Sequence, residues 1–153
     1  MKSSYRKTPT SILSWILFIV WVSLFLVVSI LYGIHYLKEH YQQIDPKLYE
    51  IKEKLLLLTP QASDLKILED TKSYTINKKK VYLCLKDENE NYYPMNMLMY
   101  VAIHELAHVL CDEIGHTPKF HKIFHQLLDK AHILEIYDPN IPIIHDYCGY
   151  NKK

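Results

Sequence analysis

Two histidines four residues apart, with a glutamate directly after the first, are the residues of this sequence best suited to chemistry. They are His104, Glu105 and His108. On an α-helix, residues four apart lie on one face, so both imidazoles can bind one metal ion. Glu105 can then reach a water on that ion without being a ligand. This HExxH pattern predicts peptide-bond hydrolysis with a zinc-activated water, in which Glu105 is the general base and passes the proton to the leaving amine.

A third metal ligand must come from outside this pair, because catalytic zinc keeps three protein ligands and one open position. His116 is the preferred residue, since Gly115 before it allows the chain to reverse and aim the side chain back at the helix. We therefore expect one Zn²⁺ held by His104, His108 and His116. The alternatives for the third ligand are His121, His125, Asp129 and Glu135.

A second function is compatible with the same histidines. A structural zinc site is closed by a fourth ligand, which His121 or His125 could supply, and the protein would then be a catalytically inactive zinc-binding membrane module. Glu105 argues against this alternative, because a structural site has no use for a base beside the metal. A membrane-tethered interaction protein without metal is the third alternative.

Short strands are expected upstream of the HExxH segment. Residues 65–68 and 73–76 are candidates, and residues 81–85 show the strongest signal because they are β-branched and aromatic. In this last strand Val81, Leu83 and Leu85 share one face, and Tyr82 and Cys84 share the other. The strand is a candidate edge along which an extended peptide substrate lies, with an ordinary core strand as the alternative.

Two helices are expected to hold the site. Asn96 is expected to cap the first, which spans residues 97–113 and is ended by Gly115. Thr117 and Pro118 match a cap and first-turn proline for a second, amphipathic helix. Beyond these helices, His145, Tyr147 and Tyr150 are candidate donors to an oxyanion, because their side chains can donate hydrogen bonds.

The N-terminal part of the chain predicts a membrane helix. Residues 12–32 contain no charge, and a stretch of about 20 apolar residues can span a bilayer. The positive charges nearest to it favour a cytoplasmic N-terminus, with the C-terminal domain across the membrane. The expected domains are a basic flank at 1–11, a transmembrane helix at 12–37, a helical connector at 38–63, and an α+β zincin-like metallopeptidase domain at 64–153.

Composition argues against nucleic-acid binding. The formal net charge of the 153 residues is +1, and Arg6 is the single arginine, so bidentate contacts to phosphate or guanine are nearly excluded. The expected partners are a lipid bilayer and a peptide or protein substrate. The three cysteines, Cys84, Cys111 and Cys148, allow either one disulfide with one free thiol or three reduced thiols.

The segment from His104 to Phe120 resembles the WLM and SprT-like zinc metallopeptidases, in which a third histidine and then an aromatic residue follow HExxH. Residues 73–149 are more similar still to small predicted membrane-anchored metallopeptidases of large DNA viruses, through residues 73–78, 83–85, 115–117 and 147–149. The resemblance implies His104, His108 and His116 as zinc ligands, Glu105 as catalytic base, and a virion or internal host membrane as location. His116 follows His108 by eight residues, where many WLM and SprT-like members have six.

Overall fold

The computed structural model describes residues 12–42 and 45–149, and the chain divides into two compact units, Met1–His40 and Tyr41–Lys153. The first unit contains most of helix α1 (Ile12–Gln42), within which Ser14–Lys38 is long and apolar enough to cross a membrane. Its large apolar side chains are exposed. Of the positive charges nearest to the helix, from which the cytoplasmic N-terminus is predicted, Lys2, Arg6 and Lys7 lie outside the described residues.

The second unit is an α+β domain, as predicted. Its helices are α2 (Pro46–Leu58), α3 (Met95–Leu110) and α4 (Pro118–Ile133). Its strands are β1 (Lys66–Glu69), β2 (Tyr74–Ile76) and β3 (Lys80–Leu83). Short 3₁₀ helices cover Pro60–Asp64 and Tyr147–Gly149.

The sheet has the order β1-β3-β2, with β1 parallel and β2 antiparallel to β3. Val81, Leu83 and Leu85, which are predicted to share one face, are fully buried, and Cys84 of the other face is buried as well. The central position of β3 contradicts the expectation that residues 81–85 form an edge strand. Both sides of β3 are occupied by strand partners, so its backbone cannot receive a substrate in that way.

Helix α2 begins with a capping residue and a first-turn proline. The Asp45 side chain accepts a hydrogen bond from the backbone N–H of Lys47 at 2.8 Å, and Pro46 occupies the first turn. Leu48, Ile51, Leu55 and Leu58 recur at helical spacing and are all buried in the main core. The segment expected as a connector is therefore an integral part of the folded domain.

Helix α3 starts and ends earlier than expected. It begins at Met95 after Pro94, and Asn96 is not its cap. Instead, the Asn96 side chain accepts a hydrogen bond from the Asp138 N–H at 2.7 Å and donates one to the Asp138 carbonyl at 3.1 Å. The helix ends at Leu110, because Cys111 is extended, so Gly115 does not terminate it.

A disulfide joins Cys84, next to the end of β3, to Cys148 in the C-terminal segment, and Cys111 is a buried free thiol. Between these ends, the Tyr147 hydroxyl lies 3.1 Å from the Ser73 hydroxyl and donates to the Cys84 carbonyl. The C-terminal segment is thus attached to the sheet by a covalent bond and by buried hydrogen bonds.

The packing of α2 predicts different effects for two leucines on the same helix. We expect Leu55→Ala to lower the free energy of unfolding by about 2–5 kcal/mol, because it leaves a cavity in the core. Leu57, which is 62% exposed, is the matched control, and Leu57→Ala should change that free energy by less than about 0.5 kcal/mol. Denaturant unfolding of the full chain in detergent measures both, and equal effects would contradict the burial of α2.

Candidate metal centre

Three histidine side chains converge at the C-terminal half of α3. The Nε2 atom of His116 lies 3.0 Å from Nε2 of His104 and 3.2 Å from Nε2 of His108. All three ligand atoms lie within 4.8 Å of one another. His104 and His108 come from one face of the helix, and His116 comes from the loop that follows it.

Hydrogen bonding among the rings does not account for this arrangement. A close pair of ring nitrogens needs one donor and one acceptor, and a nitrogen that carries the hydrogen has no lone pair with which to accept. Nε2 of His116 is close to two other ring nitrogens, but it carries either one hydrogen or one lone pair, so it can form one well-directed hydrogen bond only. Three converging imidazole nitrogens are instead the donor set of a catalytic zinc site, so the residues fit a Zn²⁺ ion.

The protonation of the rings agrees with metal binding. Burial and, after it, the neighbouring His108, His116 and His121 lower the pKa of His104 to about 4. Burial and the nearby His116 also lower the pKa of His108. Both shifts favour the neutral ring, which is the form that binds a metal.

Phe120 supports all three histidines from α4. Its fully buried ring stacks on His108 at a centroid distance of 4.3 Å and meets His116 and His104 edge-on at 4.8 and 5.0 Å. Thr117 caps the helix that carries it, with its side chain accepting from the Phe120 N–H at 3.3 Å, as its sequence predicts. The aromatic residue four positions after His116 thus holds the imidazoles in place.

The loop between α3 and α4 brings His116 back to the helix. Gly115 has φ +85°, a left-handed conformation that glycine adopts without steric cost. At the start of the loop, the carbonyl of Cys111 accepts a hydrogen bond from Lys78 Nζ at 2.5 Å. The chain reversal expected at Gly115 is therefore present, although it lies in the loop rather than at the helix end.

Glu105 lies beside the histidines and is only 6% exposed. Its carboxylate oxygen Oε2 accepts a hydrogen bond from the Thr75 hydroxyl of β2 at 2.8 Å. Burial raises the pKa of Glu105, and the Thr75 hydrogen bond opposes this rise. A buried carboxylate with raised proton affinity suits a general base better than an exposed one.

A cavity of about 660 Å³ opens over these residues. Its walls come from β2 and the turn after it, from α3, from the His116 loop and from Tyr147. The lining residues include Tyr74, Thr75, Lys78, Tyr100, Glu113, Ile114 and Tyr147, together with His104, Glu105, His108 and His116. The cavity is large enough to receive a short peptide segment.

The other predicted site residues lie elsewhere. His121, His125, Asp129 and Glu135 are exposed and outside the histidine group found among the described residues. Residues 81–85 do not line the cavity.

The structure gives little support to the predicted oxyanion donors. His145 is exposed and is not a lining residue. Tyr147 lines the cavity, but its hydroxyl donates to the Cys84 carbonyl. Tyr150 lies outside the described residues.

The sequence analysis missed two polar residues of the cavity, Thr75 and Tyr100. Tyr100 precedes His104 by one helical turn, a spacing that places it on the same face of α3 and could have identified it. Its hydroxyl forms no hydrogen bond within residues 12–42 and 45–149, so it can donate to a substrate. No local sequence pattern identifies Thr75, because Glu105, to which its side chain donates a hydrogen bond, is 30 residues away in the sequence.

Homologues of the chain occur in large DNA viruses. It is 51% identical over 89 residues to uncharacterized protein 136R of Invertebrate iridescent virus 6, covering 56% of this chain and 50% of that protein. It is 51% identical over 88 residues to uncharacterized protein 042R of Invertebrate iridescent virus 3, covering 57% and 55%. It is 40% identical over 86 residues to uncharacterized protein R325 of Acanthamoeba polyphaga mimivirus, covering 50% and 41%.

The chain spans about half the length of these curated relatives. No protein-family model matches it. No solved structure matches it. These homologues thus support the predicted similarity to proteins of large DNA viruses. The functional interpretation depends on the site itself.

The histidine geometry predicts the metal content of the purified full-length protein. We expect about one zinc per native chain. For His116→Ala we expect at least a roughly 100-fold lower zinc affinity, because losing a group that only hydrogen-bonds to a metal ligand already lowers metal affinity by about 10- to 100-fold. His121→Ala is the matched control, because this exposed histidine lies on α4 outside the group, and it should keep the metal. Elemental analysis after dialysis measures both, and zinc loss from His121→Ala with retention in His116→Ala would reverse the assignment.

Proposed function

We propose that the protein is a membrane-anchored zinc metallopeptidase with a zincin-like catalytic domain. The observation that carries this proposal is the convergence of the three Nε2 atoms of His104, His108 and His116 beside the buried carboxylate of Glu105. A structural zinc site has no use for a carboxylate held next to the metal without ligating it. A hydrolytic site requires one.

In this proposal His104, His108 and His116 hold one zinc ion. The ion supplies a Lewis acid that lowers the pKa of water and polarises a carbonyl. Glu105 takes the proton of the attacking water on its carboxylate and delivers it to the amine of the broken peptide bond. Its burial excludes bulk water, which strengthens the electrostatic interactions that stabilise the developing charge.

The resemblance to the WLM and SprT-like metallopeptidases supports a peptide substrate. The features that carry the resemblance, His116 and the aromatic Phe120, contact each other and the HExxH histidines in the structure. The cavity beside them has room for a short peptide. Tyr100, which lines the cavity one helical turn before His104, is our candidate donor to the oxyanion.

Helix α1 supports attachment to a lipid bilayer, because Ser14–Lys38 is long and apolar enough to cross one and residues 12–32 carry no charge. We propose that the N-terminus is cytoplasmic and that the catalytic domain lies across the membrane. The disulfide between Cys84 and Cys148 supports this orientation, since such bonds persist in oxidising compartments. The membrane is that of a virion or an internal membrane of the host.

Replacement of the proposed base tests the catalytic function. We expect Glu105→Gln to lower kcat of peptide hydrolysis by about 100-fold or more, because general base catalysis contributes 10²–10⁴-fold. Zinc content should remain close to that of the native protein, since Glu105 is not among the three ligands. Cleavage of a fluorogenic peptide library by the zinc-loaded full chain, with elemental analysis in parallel, measures both quantities.

Glu53→Gln is the control for this substitution, because Glu53 is exposed on α2 and outside the cavity lining. It should retain native activity. Zinc-loaded native protein that cleaves no member of the library would favour the inactive zinc-binding module. Native activity in Glu105→Gln would show that another group is the base.

Synthesis of the full chain with sealed microsomes tests the anchor and its orientation. We expect the intact chain to resist alkaline extraction, because α1 spans the bilayer. We also expect residues 45–149 to be protected from added protease. Release of a shortened domain into the lumen would show that α1 is a cleaved signal, and digestion of the domain in sealed vesicles would reverse the orientation.

A further inference from the structure

We propose that Thr75 is a positioning residue for the base, and that its hydroxyl selects the orientation in which the Glu105 carboxylate accepts a proton from water. This inference rests on the proposed peptidase function. It adds a residue from the sheet to a site that the HExxH pattern places entirely on α3 and its following loop.

Thr75 contacts both ends of Glu105. Its Oγ1 donates to the carboxylate oxygen Oε2 at 2.8 Å and lies 3.2 Å from the backbone carbonyl oxygen of Glu105. A hydroxyl has a single hydrogen, and the shorter distance assigns it to the carboxylate. Oε1 receives no hydrogen bond within the part of the chain that the structure describes, so it remains available to a water molecule.

The sheet register accounts for the direction of the Thr75 side chain. Thr75 pairs with Val81 of the central strand, and paired residues project from the same face of a sheet. Val81 is fully buried, so this is the face that packs toward the core and α3. The neighbours Tyr74 and Ile76 project from the opposite face, where Tyr74 stacks on Tyr82 with ring centroids 4.7 Å apart.

The burial of Glu105 makes this contact important. A glutamate side chain has three rotatable bonds, so without a donor its carboxylate could rotate away from the attacking water or toward the metal ligands. A buried carboxylate also needs a hydrogen-bond partner to offset its loss of solvation. Thr75 supplies that partner and fixes one oxygen, which leaves the second oxygen in a defined position.

The test compares Thr75→Val with Thr75→Ser in the zinc-loaded full chain. Valine keeps the shape and β-branching of threonine but removes the hydroxyl, and serine restores it. We expect Thr75→Val to lower kcat by about 10- to 100-fold, the effect of losing a hydrogen bond to a charged group. KM and zinc content should stay close to native, and Thr75→Ser should recover most of kcat. Thr71→Val is the matched control, because Thr71 is exposed and does not line the cavity.

A second measurement tests the contact without using activity. Denaturant unfolding of the metal-free full chain gives the effect of Thr75→Val in the native background and in a Glu105→Met background, where the acceptor is missing. We expect the substitution to raise the unfolding equilibrium constant by a factor that is about threefold or more larger in the native background than in the Glu105→Met background. Additive effects would show that the two side chains are not coupled, which would overturn the inference.

The kinetic outcomes separate this inference from the proposed function. If the native chain is active and Thr75→Val leaves kcat unchanged, the role of Thr75 is overturned and the peptidase proposal stands. The same holds if Thr75→Val lowers kcat and Thr75→Ser does not recover it. An equal loss in Thr71→Val also overturns it, because the effect would then not be specific. A zinc-loaded native chain without peptidase activity overturns both proposals, and any coupling would then describe a structural pair.

Discussion

Three imidazole nitrogens within 4.8 Å of one another are costly to arrange, because the rings lose rotational freedom and those of His104 and His108 are also partly buried. Two of the rings come from successive turns of α3. The third requires the chain to leave the helix after Leu110, reverse at Gly115 and return. The ring of Phe120 fills the space behind all three, so α4 must pack against α3 before the site can exist.

The sheet also contributes to this site. Its central strand β3 provides the buried face on which α3 packs, and β2 contributes Thr75 to the cavity wall. At the end of β3 the Cys84–Cys148 disulfide and the Tyr147 hydroxyl attach the C-terminal segment, which completes that wall. A domain of this size buries a limited apolar core, so a covalent link and a bound metal would both contribute to its stability.

Helix α2 extends the core beyond the sheet and the helices that carry the histidines and Phe120. Its four buried residues join the same hydrophobic cluster as β3 and α3. Lys130 of α4 donates to the carbonyl of Leu58 at the end of α2 with a distance of 2.7 Å, so α2 and α4 are joined at the surface as well as in the core. The segment that follows the apolar helix is thereby tied to the elements that carry the histidines and Phe120.

Features that depend on local spacing could be read from the sequence alone. They include the shared face of His104 and His108, the caps at Asp45 and Thr117, the inward face of Val81, Leu83 and Leu85, and the apolar helix α1. Each follows from helical or strand periodicity, or from a side chain that bonds to a backbone group two or three residues away. The tertiary structure decided what depends on residues far apart in the chain: the central position of β3, the disulfide, the pairing of Asn96 with Asp138, and the contact of Thr75 with Glu105. It also brought His116, rather than the other candidate ligands, to the histidine pair, because loop direction and packing on Phe120 are set by the folded chain and not by sequence spacing.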